Sequence, residues 1–114
     1  MSHEYELTIS VKGVDPTDDE RVYDFIAQYW NAASCYRRKK VISVKGIDRI
    51  RGVASPVTFR RSLESHLGEL LGYPVEVAVR GTDREGINRG KRFWLRPDND
   101  GPQVDPFDLK TWAA

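Results

Sequence analysis

The 114-residue sequence contains one cysteine, Cys35, and two histidines, His3 and His66, far apart along the chain. A single thiol excludes an internal disulfide framework and suits a reducing compartment. The two histidines and the cysteine do not supply the clustered donors of a zinc site, so no metal is expected. No apolar run approaches the ~20 residues that span a bilayer, and Met1-Ser2-His3-Glu4 is not a basic, apolar leader. These absences predict a cytoplasmic protein without membrane association. Cofactor motifs are missing as well. The glycines of 81–90 (GTDREGINRG) lack the strand-to-helix setting and the Lys-Ser/Thr ending of a phosphate-cradling loop, which excludes that kind of nucleotide hydrolysis.

What is present is charge, unevenly laid out. From Tyr36 to Arg96 there are fifteen Lys and Arg against six Asp and Glu, a net of +9, while the flanks hold three against eleven, a net of −8. The formal total of +1 therefore hides a bipolar molecule. Such asymmetry bears on steering and partners, not on the fold. It implies either a basic surface offered to something anionic or acidic flanks folded back over the basic middle.

At 39% hydrophobic and 31% charged, the chain fits one domain with a modest core. Residues 5–12 (YELTISVK) alternate apolar and polar, the signature of a half-buried strand. Thr17 with Glu20 forms a capping box that predicts a helix start. Val22, Phe25, Ile26, Tyr29, Trp30 and Ala33 then draw an apolar stripe at helical spacing. The carboxylates Asp15, Asp18, Asp19, Glu20 and Asp24 are the one dense acidic set, and the positive end of that helix accounts for most of them without a metal-dependent nuclease site. Residues 40–46 predict a second strand, with Ile42 and Val44 inward. A reversal is expected at 45–48, and a short third strand or irregular edge at 49–54.

Ser55 and Pro56 are an N-cap and first helical residue. They open a helix to about Leu71 that stops at Gly72, with Phe59, Leu63, Leu67, Leu70 and Leu71 as its stripe and His66 half-buried at the edge. Alternation predicts strands at 73–80 and 91–96, joined by a ten-residue loop. The segment ISVKGVD at 9–15 returns as ISVKGID at 42–48. With a single pair of copies this reads as two similar strand ends and not as a solenoid.

Together these elements predict an α+β fold: two helices packed on one face of a mostly antiparallel four- to five-stranded sheet, in a ferredoxin-like βαββαβ arrangement. Residues 1–96 would form the single domain and 97–114 an acidic, proline-containing tail.

Two stretches carry the functional expectation. YRRKKVISVKGIDRIRG (36–52) is where the chain turns basic, and KRFWLR (91–96) sets Trp94 between Arg92 and Arg96 on one strand face. Aromatic stacking on a base with guanidinium groups on phosphate uses that arrangement; the competing reading has Trp94 covered by the tail or by a partner chain. Cations next to Cys35 would favour its thiolate, but no general base accompanies it. The sequence thus predicts a small non-enzymatic binding module contacting nucleic acid or a nucleoprotein complex. Its binding residues would be Arg37, Arg38, Lys39, Lys40, Lys45, Arg49, Arg51, Arg84, Arg89, Arg92, Trp94 and Arg96. The alternative is an inhibitor or adaptor of the phage or mobile-element (anti-CRISPR-like) type that binds a host nucleic-acid-processing protein complex directly. Exposed strand edges leave room for a homodimer.

Overall fold

The structure, a computed structural model, describes residues 4–50, 55–87 and 89–97. Five strands and two helices follow one another as β1 (Glu4–Lys12), α1 (Asp19–Ala27), β2 (Ala32–Arg38), β3 (Val41–Arg49), α2 (Pro56–Leu71), β4 (Glu76–Asp83) and β5 (Arg92–Leu95). The strands form one antiparallel sheet in the order β2-β3-β1-β4-β5. The fold is α+β with a five-stranded antiparallel sheet, within the four to five strands expected, and β5 lies beyond β4, so the sheet as a whole does not have the expected ferredoxin-like order. Among the described residues no helix is long and apolar enough to cross a membrane.

β1 is central because its alternation works on both flanks. Ile9 faces Val44 on β3 and Val79 on β4, and Val11 faces Ile42 and Val77. All six are fully buried under Val22, Ile26 and Trp30 from the α1 side and Phe59, Leu63 and Leu67 from α2. Both helices therefore cover the same face, and among the described residues no element covers the other.

The first helix starts otherwise than its capping box suggests. Asp15 caps a 3-10 turn over Pro16–Asp18, accepting from the Thr17 amide at 3.0 Å and the Thr17 hydroxyl at 2.8 Å, and α1 begins only at Asp19. It also ends early, at Ala27. Ala33, expected on the helical stripe, lies instead in β2. The second helix follows its sequence signals: Ser55 caps the Thr58 amide, Pro56 opens the helix, and Gly72 closes it at φ 84°. His66 is exposed, not half-buried, and its Nδ1–H donates to the Ser62 carbonyl at 2.8 Å.

The larger corrections concern β2 and two glycines. The basic segment 32–38 is an edge strand paired to β3. It shows no hydrophobic alternation because most of its residues are exposed. Gly46 was expected in a reversal and Gly81 at the start of a loop, yet both lie within strands and flank Leu7 from either side. A Cβ on Gly46 would collide with the Asn31 carbonyl and press Trp30; one on Gly81 would collide with the Glu6 carbonyl and Leu7. Close approach of backbone and a large side chain is what puts glycine inside a strand here. Consequently β3 runs on to Arg49, and β4 spans Glu76–Asp83 rather than 73–80.

β5 is short, and the pairing of Val79 with Leu95 is its last toward Pro97, a residue without an amide to donate. Arg60 and Glu64 of α2 stand in for the missing strand. Arg60 Nη1 donates to the Val77 carbonyl and the Glu64 carboxylate, each at 2.9 Å, and that carboxylate accepts the Val77 amide at 2.9 Å. This satisfies an edge that burial would otherwise make costly.

Candidate functional site

The uncovered sheet face is concave. A trough of about 930 Å³ runs over Thr8, Gly46 and Gly81, bordered by Asn31, Ala33, Lys45 and Ile47 on one side and Arg80, Arg92 and Trp94 on the other. It follows the Leu7 row, whose side chains face the core, so that only backbone lines its floor between the outward rows to either side.

The strand registers order the residues on this face into rows. Lys45 faces Thr8, Thr8 faces Arg80, and Arg80 faces Trp94. In the next row Ile47 faces Glu6, Glu6 faces Thr82, and Thr82 faces Arg92. Among the described residues Lys45, Arg80 and Arg92 take part in no ion pair. Lys45 instead lies 5.5 Å from the ring centre of Tyr36, which is 44% exposed. Trp94 is 57% exposed, and the Arg96 guanidinium stacks on it at 4.4 Å. Lys45 and Arg80 flank Thr8 with no carboxylate in their own row, Glu6 standing in the adjoining one, so the Lys45–Arg80 row is poised for an anion.

The structure brings Lys45, Arg92, Trp94 and Arg96 together on this face, with Arg38 on the same side at the β2 edge. Lys39 and Lys40 form the β2–β3 turn, with Lys39 at φ 56°. Arg37 points the other way, toward the helices. Its guanidinium donates to Asp19 at 2.6 and 2.8 Å, to the Val14 carbonyl at 2.7 Å and to the Lys39 carbonyl at 2.6 Å. Those bonds to Asp19 raise its pKa further and make it a structural tie. Arg49 is paired with Glu85 at 2.6 Å, and Arg84 with Glu4 at 3.2 Å and Glu6 at 3.7 Å. Arg89 is exposed in the β4–β5 loop; Arg51 lies outside the described residues. Asp15, Asp18, Asp19 and Glu20 gather at the start of α1, as the helix-end explanation requires, while Asp24 lies in the second half of the helix.

Cys35 is not activated. Burial pushes its thiol up, Asp19 pushes in the same direction, and Arg37 opposes them only in part. The cations next to it in sequence are thus outweighed by a carboxylate brought in by the fold.

Arg80, Thr8 and Tyr36 line or adjoin this face and were not among the binding residues expected from the sequence. The signal for Arg80 was available, since alternation from Val75, Val77 and Val79 sets it outward. Tyr36 had no such signal because β2 carries no alternation. A scan against protein-family models and searches of curated proteins and of solved structures return no match.

Proposed function

We propose that this protein is a small binding module whose basic open sheet face contacts nucleic acid or a nucleoprotein complex. The observation that carries the reading is the row Lys45, Thr8, Arg80 and Trp94, in which two cations without carboxylate partners among the described residues share a line with a tryptophan 57% exposed, Arg80 directly opposite it. Cations supply the sequence-independent attraction to phosphate, and an outward indole supplies a stacking surface.

Fluorescence anisotropy of the full chain against labelled RNA and DNA, titrated with salt, tests it. Binding whose log affinity falls linearly with log salt, and which weakens in Lys45→Ala and Trp94→Ala, supports the reading. Absence of binding at low salt sinks it. That outcome turns attention to direct association with a host protein, for which Ile87, 95% exposed at the tip of the β4–β5 loop, is the apolar anchor.

We also infer that strands β2-β3-β1-β4 with their two helices constitute a ferredoxin-like βαββαβ core to which β5 has been added. Support comes from the internal repeat. The two ISVKG segments pair with one another across β1 and β3, Ser10 opposite Ser43, as expected where two strand-helix-strand halves are related by a local two-fold.

A further inference from the structure

We infer that the open face takes single-stranded nucleic acid, with one base stacked on Trp94 and the adjoining phosphate held between Lys45 and Arg80 above the Thr8 hydroxyl. This rests on the nucleic-acid reading above and adds the class of ligand and the place of each part of it.

The first argument is dimensional. Neighbouring strands stand ~4.8 Å apart, so the backbones bearing Lys45 and Arg80, one strand to either side of Thr8, are about 10 Å apart. Two long side chains close that gap on a single phosphate, and Thr8 between them offers a hydroxyl donor. Trp94 is one strand further on, where the base attached to that phosphate would lie.

The second argument excludes a duplex. A five-stranded sheet is about 19 Å across at this strand spacing, wider than the ~12 Å major groove of B-DNA. Trp94 borders the trough from within a strand and is not on a projecting tip, so it meets the face of a base only if the base has left its stack. In a duplex that extrusion costs a few kcal/mol; in a single strand it costs least.

The third argument is the condition of the indole. Arg96 stacks at 4.4 Å and fixes the ring while leaving it 57% exposed, a rigid platform for a flat partner. Alternation along β1 and β4 sets three carboxylates on this face: Glu4, Glu76 opposite Lys12 and, lining the trough two residues from Thr8, Glu6. It is also 3.7 Å from Arg84, which offsets its charge. The phosphate therefore belongs on the Lys45–Arg80 row and not on the Glu6 row.

The experiment compares three fluorescein-labelled probes on the full chain. They are a single strand of about ten nucleotides, within the ~4–16 that single-strand platforms cover, the same strand with abasic residues throughout, and the corresponding duplex. The base-bearing strand should bind about tenfold or more tighter than the abasic strand. Trp94→Ala should abolish that difference and Trp94→Phe retain most of it, with circular dichroism confirming that both fold. Lys45→Ala and Arg80→Ala should each reduce the slope of log affinity against log salt by ~0.7. Equal affinity for base-bearing and abasic strands, or duplex binding as tight as single-strand binding, overturns the inference while leaving the nucleic-acid reading intact. No binding to any probe removes both.

Discussion

The segments Ile9–Asp15 and Ile42–Asp48 differ at a single residue, Val14 against Ile47, yet they end in different structures. In the first copy the strand stops at Lys12, Gly13 turns at φ 94°, Val14 is buried and Asp15 caps a 3-10 turn. In the second copy Gly46 continues the strand, Ile47 is 44% exposed and Asp48 accepts the Asn31 amide at 2.9 Å. Both copies bury their Ile and Val on the same face, because alternation is local and the core covers that face of each. They part at glycine, because only the second has Trp30 and the Asn31 carbonyl pressed against it. The same residues specify which face is inward, and their neighbours in space specify where the strand ends.

The comparison breaks most visibly at the shared apolar positions. Ile9→Ala and Ile42→Ala, both fully buried, should each lower stability by about 2–5 kcal/mol, with similar urea midpoints for the two variants. The glycines should differ. Gly46→Ala sets a methyl against backbone that cannot retreat and should cost about 3 kcal/mol. Gly13→Ala meets nothing closer than the Pro74 carbonyl at 3.8 Å and should cost about 1 kcal/mol from its left-handed backbone alone. Equal losses in thermal melts would contradict the packing explanation.

The serines sharpen the symmetry of the pair. Ser10 and Ser43 hydroxyls lie 3.1 Å apart, and removing either leaves a polar group short of a partner, at about 1 kcal/mol. The double Ser→Ala variant should be close to wild type, so a double-mutant cycle should give coupling about equal to the sum of the two single losses, about 2 kcal/mol. The lysines divide by function. Lys45 lines the trough and Lys12 does not, so Lys45→Ala should weaken oligonucleotide binding more than Lys12→Ala, with both stabilities within about 0.5 kcal/mol of wild type.

The smallest effect is in the final aspartate of the first copy. The Thr17 amide and hydroxyl hold the Asp15 carboxyl below its usual pKa, with burial opposing and Arg37 assisting. A depressed folded-state pKa means that its stabilisation is full above the unfolded value of ~3.9 and is lost as pH falls through the folded value. Asp15→Asn should therefore lower the denaturation midpoint slightly at neutral pH, where the carboxylate's stabilisation is present, and reduce the further loss of stability on acidification. Denaturant titrations at neutral and acid pH read this directly; an unaltered acid limb would count against it.

Periodicity and end signals made much of the fold legible. Alternation located β1 and β5 and the inward residues of β3 and β4, and Ser55-Pro56 with Gly72 bracketed α2. The open face with Lys45, Arg92, Trp94 and Arg96 followed from the same alternation. Arg37 was misplaced because a charged edge strand has no hydrophobic pattern to reveal its facing. Arg49 and Arg84 are engaged by Glu85, Glu4 and Glu6, partners distant in sequence.

The sequence by itself determined which residues of β1, β3, β4 and β5 are inward and where α2 begins and ends, because each depends on residues within a turn or two of one another, and the segregation of basic and acidic parts is written in the chain directly. Only the tertiary structure decided that Gly46 and Gly81 lie inside strands, that 32–38 is a strand, and that Lys45, Thr8, Arg80 and Trp94 share a row. Those outcomes depend on which backbone and side chains approach from elsewhere in the chain, and no local pattern encodes that approach.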